Sequence, residues 1–181
     1  GIRASVASRG RGDVYKRQII MDAGNNFGIT PVGLNALDIA RVEASFILLD
    51  VDYKSSRYAP IDNQKSSPYE LGLSWAVQLN KQSFIGRDAL IHENKESSHW
   101  KFRGIEIEWD PLINIYKKMG LPPDIPSVTW RTSTPIYYKN KQVGYATSGC
   151  WSPILKRYIA LAHIQTKYAD IGRFLNFEIK V

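Results

Sequence analysis

Between residues 31 and 44 apolar side chains recur at almost every helical phase: Val32, Leu34, Leu37, Ile39, Val42 and Ala44. A helix that is apolar nearly all round predicts burial between layers. Thr30-Pro31 ahead of it reads as a hydroxyl cap followed by a first-turn proline, whose missing N–H costs nothing there. Asp38, Arg41 and Glu43 interrupt this surface. Asp38 and Arg41, three apart, can pair, whereas Arg41 and Glu43 point to different sides. Buried charges need partners or a ligand, so the helix carries either an internal ion pair or part of a cavity lining.

Upstream, 19–29 reads as a strand or helix end turning through Gly24-Asn25-Asn26. Downstream, Ala44–Val51 is continuously apolar and fits a helix end or a short buried strand. Residues 52–67 are polar and read as a long surface loop. Leu71, Leu73, Trp75, Val77 and Leu79 alternate with other residues, which predicts a half-buried strand. A short helix is expected from 83–90, fading in the charged, Ser-rich run 92–98, the best domain boundary. Beyond it the period is mostly two. Ile105, Ile107 and Trp109 alternate, 135–139 and 142–148 flank a tight turn at Asn140-Lys141, 158–164 is an apolar strand, and Leu175, Phe177, Ile179 and Val181 alternate again. Leu121–Pro126, with three prolines, is a loop. Several short strands with turn signals suggest a small antiparallel barrel or sandwich.

The chain has 181 residues with 5 Trp, 10 Tyr and 6 Phe, enough for one large core or two small ones. Its net charge of +7 invites a nucleic-acid partner. However, Arg3, Arg9, Arg11, Lys16 and Arg17 against Asp13 place four of those seven charges in residues 1–18. The remainder is ordinary for a soluble protein. Residues 1–18 lack the apolar core of a secretory signal and the amphipathic spacing of a transit helix. Arg11–Gln18 resembles translated sequencing-adapter sequence, so 1–18 is expected to be extraneous or a disordered basic arm and is set aside. A single cysteine excludes an internal disulfide and a Cys-based zinc site. No apolar run approaches the roughly 20 residues of a membrane span, which makes a reducing, cytoplasmic setting the default.

Local chemistry is sparse. His92 and His99 sit in the polar linker and are expected to be solvated, while His163 on an apolar strand is expected to be a satisfied core histidine. Cys150 has no local base and is expected to be a buried structural thiol. Aromatic–basic pairs such as Trp130-Arg131 and Tyr116-Lys117 form no single basic stripe, which argues against a nucleic-acid face.

Five motifs occur in order: Thr30-Pro31-Val32-Gly33-Leu34-x-Ala36-x-Asp38-x-x-Arg41-Val42-Glu43-Ala44; Ser67-Pro68-Tyr69-Glu70-Leu71-Gly72-Leu73-Ser74-Trp75-Ala76-Val77; Phe84-Ile85-Gly86-Arg87-Asp88-Ala89-Leu90; Val143-Gly144-x-x-Thr147-Ser148-Gly149-Cys150-x-Ser152-Pro153-x-Leu155-Lys156; and Ile159-Ala160-Leu161-Ala162. Over residues 24–181 this series resembles the C-terminal part of the glycine-cleavage T-protein (aminomethyltransferase) family. The resemblance implies an α+β chain: the remnant of a folate-binding α/β core over 19–97, then a small antiparallel β-barrel over 98–181. It also implies tetrahydrofolate-dependent transfer of a one-carbon unit, a small one-carbon donor, and a lipoyl carrier protein as a further partner. Neither nucleic acid nor a membrane is implied.

The family's catalytic aspartate has no counterpart in these motifs, so no catalytic residue is assigned and the chain alone is expected to be inactive. Arg131 matches an arginine that meets folate in the family, and a guanidinium suits folate's carboxylate tail. Arg41 and Glu43 match the Arg-x-Glu of the family helix and are expected to shape the site. Trp75 is expected to face that helix as core or cavity wall. Leu37 stands where glycine-cleaving members usually carry an arginine. Leu48–Asp52 replaces a segment that usually reads Tyr-Gly-x-Asp. These departures keep open a second reading, the C-terminal module of a dimethylglycine or sarcosine dehydrogenase or a folate-dependent demethylase. A third, non-enzymatic reading is a folate-binding iron–sulfur assembly factor. It is opposed by Ser83, which stands where that subfamily carries a cysteine.

Overall fold

The computed structural model describes residues 10–179. The chain divides after Leu34 into two compact units. In the first, residues 10–18, set aside above, form one helix with the residues that follow, α1 (Gly10–Gly24). A 3-10 turn, Asn25–Phe27, closes it with Gly28 in the left-handed region.

The second unit is α+β. Helix α2 (Leu34–Glu43) leads through turns and two 3-10 segments to α3 (Arg87–Glu96). Then come strand β1 (Trp100–Ile107), helix α4 (Trp109–Lys118) and strands β2 (Thr134–Tyr138), β3 (Lys141–Ser152), β4 (Arg157–Gln165) and β5 (Asn176–Phe177). All pairs are antiparallel, in the order β1-β4-β3-β2-β5. Among the described residues the sheet is open, with β1 and β5 as edges, and does not close into the expected barrel. Of the described residues of the expected last strand, only Asn176 and Phe177 pair, against Tyr137 and Ile136; Lys180 and Val181 lie outside the described residues.

β4 explains why the sheet is buried on both sides. Ala160, Ala162 and Ile164 pack with Ile136, Val143 and Ala146, while the alternate Leu161 packs with Val42, Leu71, Phe102 and Cys150. Side chains alternate across a strand, so one continuous apolar run serves two cores. The β2–β3 hairpin turns at Lys139-Asn140, one residue earlier than expected. Both residues have positive φ, 47° and 62°, the primed turn that matches strand twist. On β3, Ala146 pairs with Ala162 and Ser148 with Leu161, so Thr147 is a bulge residue.

Four expectations fail for physical reasons. α2 begins at Leu34, not after Thr30-Pro31. It is also not buried all round: Ile39 and Val42 pack on the sheet side, whereas Leu37 is 59 % exposed. Residues 71–79 are no strand. Gly72 has φ 72°, and the hydrogen bonds are local, Leu73 N–H to Pro68 O (2.7 Å), Ala76 to Leu73 (3.0 Å) and Val77 to Ser74 (3.1 Å). Trp109 does not continue β1. It starts α4, with Pro111 tolerated in the first turn and Leu112 and Tyr116, one turn apart, forming the buried face.

Candidate functional site

The site is a polar network joining α2 to β3. A regular strand sends neighbouring side chains to opposite faces, but the bulge at Thr147 breaks the alternation. Thr147 and Ser148 therefore both donate to Oδ1 of Asp52, at 2.5 and 2.7 Å. Oδ2 of the same carboxylate accepts Arg41 Nη1 at 2.7 Å and the Leu48 N–H at 2.8 Å. Asp52 is fully buried, with a side-chain exposure of 0 %, and its four acceptor positions are filled. Nothing in the polar run 52–67 signals this. Two of its four donors lie 95 and 96 residues on, and the only trace in the sequence is the family-like Asp at the end of Leu48–Asp52.

Arg41 does more than answer Asp52. Its Nε binds Asp38 Oδ1 at 2.7 Å, the pair expected from their spacing, and Nη1 also reaches Ser148 Oγ at 3.2 Å. Asp38 Oδ2 accepts Nε and Nη2 of Arg131 at 3.2 and 2.8 Å. Asp38 thus bridges two guanidiniums across 93 residues of chain. Partial burial alone pushes its carboxyl up, but the hydrogen bonds and charges of Arg41 and Arg131 outweigh that and hold it below its ordinary value. Nη2 of Arg41 is buried without a partner, the kind of unsatisfied donor that calls for an explanation. Glu43, the last residue of α2, makes a second attachment to β3. It accepts Ser152 Oγ at 2.5 Å, while Ser152 Oγ accepts the Leu155 N–H at 2.9 Å. Arg41 and Glu43, pointing to different sides of the helix, therefore grip two well-separated points of β3.

Of the expected site residues, the structure brings together Arg131 and Arg41 through Asp38 and seats Glu43 on the same strand. Trp75 has no hydrogen bond to this network. It is neither on a strand nor in the core, standing 80 % exposed on the 3-10 segment Ser74–Ala76.

His163 is the satisfied core histidine expected. Buried beside Phe102 and stacked on Tyr145, it donates Nε2–H to the Asp52 carbonyl at 2.6 Å. Burial holds its pKa below 6.5, outweighing the upward pull of that carbonyl and of the Asp52 charge. The unfolded chain takes up this proton near pH 6.5 and the folded chain resists it. Stability is therefore full above about pH 6.5 and falls as pH drops below it. Melting temperatures at pH 7.5, 6.5 and 5.5 should show this decline, and His163→Gln, which keeps an N–H donor without the titration, should flatten it. Cys150 is buried, and burial, with the Glu43 charge second, pushes its thiol up to about 11. Native protein should leave a disulfide reagent such as DTNB unreacted, with one thiol appearing in guanidinium.

Known proteins resemble this chain in sequence and in fold. Residues 117–181 match the family model described as the glycine cleavage T-protein C-terminal barrel domain. An aminomethyltransferase of Pseudothermotoga lettingae is 33 % identical over 148 residues, covering 82 % of this chain and 33 % of that protein. One of Alkaliphilus metalliredigens is 31 % identical over 162 residues, covering 89 % and 37 %. The crystal structure of glycine cleavage system aminomethyltransferase T from Bartonella henselae superposes with TM-score 0.67 at 18 % identity, over 91 % of this chain and 39 % of that one. The chain thus spans about a third of the length of the curated relatives it matches.

Proposed function

Because the chain belongs to the glycine-cleavage T-protein (aminomethyltransferase) family, we propose that it serves tetrahydrofolate-dependent one-carbon transfer, with Arg131 holding the folate's carboxylate tail. The observation that carries this reading is the state of Arg131. It is 50 % exposed yet held in place by a partly buried carboxylate. The donor set suits an anionic ligand, since among the described residues Arg131 Nη1 has no hydrogen-bond partner and Arg41 Nη2 is buried without one. Arg41 and Glu43 act indirectly, locking α2 to β3 so that Asp38 and Arg131 meet. Tetrahydrofolate supplies the nitrogen that takes up the one-carbon unit. The protein contributes by holding donor and acceptor in register. A small one-carbon donor, and a lipoyl carrier protein presenting it, are the corresponding partners.

Among the described residues no helix is long and apolar enough to cross a membrane. Leu37, exposed one residue from Asp38, favours keeping the related demethylase and dehydrogenase modules as the second reading. A non-cationic side chain there suits a donor other than the aminomethyl carrier.

The test joins this chain to the N-terminal two-thirds of the Pseudothermotoga lettingae aminomethyltransferase and titrates 5-formyltetrahydrofolate by calorimetry. Binding is expected, and Arg131→Ala should weaken it by about 1.5–3 kcal/mol, the cost of a lost charged partner. No heat with any reduced folate would overturn the reading, and unchanged affinity in Arg131→Ala would remove that residue from the site.

A further inference from the structure

A guanidinium has two hydrogen-bonding edges, Nε–Nη2 and Nη1–Nη2, each matched to a carboxylate. In Arg131 the Nε–Nη2 edge is spent on Asp38 Oδ2, while among the described residues Nη1 has no hydrogen-bond partner. The side chain is half exposed, yet the carboxylate that grips it is only 16 % exposed and is itself pinned through Oδ1 by Arg41. Arg41 is in turn fixed by the buried Asp52. We propose that Asp38 is a positioning residue, fixing the plane of Arg131 so that its Nη1–Nη2 edge is presented to a ligand carboxylate. This rests on the folate reading of Arg131 but can fail separately from it.

The charges sharpen the inference. Arg41 is balanced by Asp52 and Arg131 by Asp38, so the cluster is neutral. A carboxylate is then held by fixed donors at short range, with little long-range attraction to be screened by salt. Removing the Asp38 charge alone frees Arg131 as an uncompensated, mobile cation. It should bind anions less tightly but with a steeper dependence on ionic strength, a change that a purely structural role for Asp38 would not produce.

The experiment uses the 181-residue chain with its arginines labelled with nitrogen-15. The probe is p-aminobenzoylglutamate, the half of folate that bears the dicarboxylate, followed by NMR at 50 and 300 mM NaCl. In the wild-type chain the Arg131 Nε–H signal should be sharp and the probe affinity nearly independent of salt. In Asp38→Asn the signal should broaden or vanish, and affinity at 300 mM should fall fivefold or more with a steeper salt slope. Asp38→Glu should restore part of both, and thermal melts of the variants confirm folding. An unchanged Nε–H signal and unchanged affinity in Asp38→Asn would overturn the positioning role while leaving the folate reading in place. If Arg131→Ala binds the probe as well as wild type, or the wild type does not respond at all, presentation to a carboxylate falls. The Nε–H comparison then shows whether the folate reading alone has failed or Asp38 also leaves Arg131 unheld.

Discussion

Asp52→Asn is expected to cost about 3–5 kcal/mol of stability, the range for breaking one partner of a buried ion pair. For a chain of this size that is a fall in melting temperature of roughly 10 °C. The carboxylate takes four donors and offers none. An amide in its place has one oxygen and one NH2 group, so at least one side of the site would set donor against donor. Arg41 Nη1, the Thr147 and Ser148 hydroxyls and the Leu48 N–H all converge there. Ser148→Ala, removing one of the four, should cost only about 1–2 kcal/mol. Thermal or urea unfolding of both variants checks the ordering, and coincident curves for wild type and Asp52→Asn would show that the network carries no stability.

Gly144→Ala should cost roughly 3 kcal/mol, at the upper end for overpacking. Gly144 lies in the middle strand of three, paired with Ile136 on one side and Ile164 on the other, between the two register shifts of β3. A Cβ there would come within 2.4 Å of the His163 carbonyl oxygen and 3.2 Å of the Ile164 Cα. Both are backbone atoms of β4, so relief requires moving the strand rather than turning a side chain. Gly104 in β1 is the internal control, because a Cβ there meets nothing within 4 Å. Gly104→Ala should be neutral or slightly stabilising, since alanine loses less entropy than glycine on ordering. Equal melting temperatures for the two variants would refute the crowding.

The parts legible in the sequence were those with two independent local signals. β4 has an apolar run bounded by turns, and the hairpin before it has alternation plus a positive-φ residue, Asn140. The existence of α2 and the Asp38–Arg41 pair follow from helical spacing. The expectations that failed are those where one periodicity stood alone. The alternation of 71–79 reads as a strand only if its backbone finds a neighbour, and Gly72 turns it onto itself instead. The apolar surface of α2 implies burial only if every face has something to pack against, and among the described residues one face does. α4 had no place in the expectations, because Leu112 and Tyr116 sit among residues that obscure the four-residue spacing. Asp52 sits in a sequence that reads as loop, because its carboxylate is buried by Thr147 and Ser148, and a bulge that turns two consecutive hydroxyls to one side leaves no mark in a hydrophobic pattern. The family motif points to Arg131 as a candidate, whereas its partnership with Asp38 across the fold is visible only in the geometry.

The double duty of β4 bears on how the larger unit comes apart. Leu161 belongs to the layer beneath α2, and Ala160 and Ala162 to the layer shared with β2, so neither layer can lose its wall without opening the other. Openings that displace β4 therefore expose both layers together, and the two should melt as one transition. In amide exchange with deuterium, the β4 N–H groups from 159 to 164 should be the last to exchange and should report the global unfolding free energy. The carboxylate bridge on α2 would then be held in register by the same event that forms the sheet.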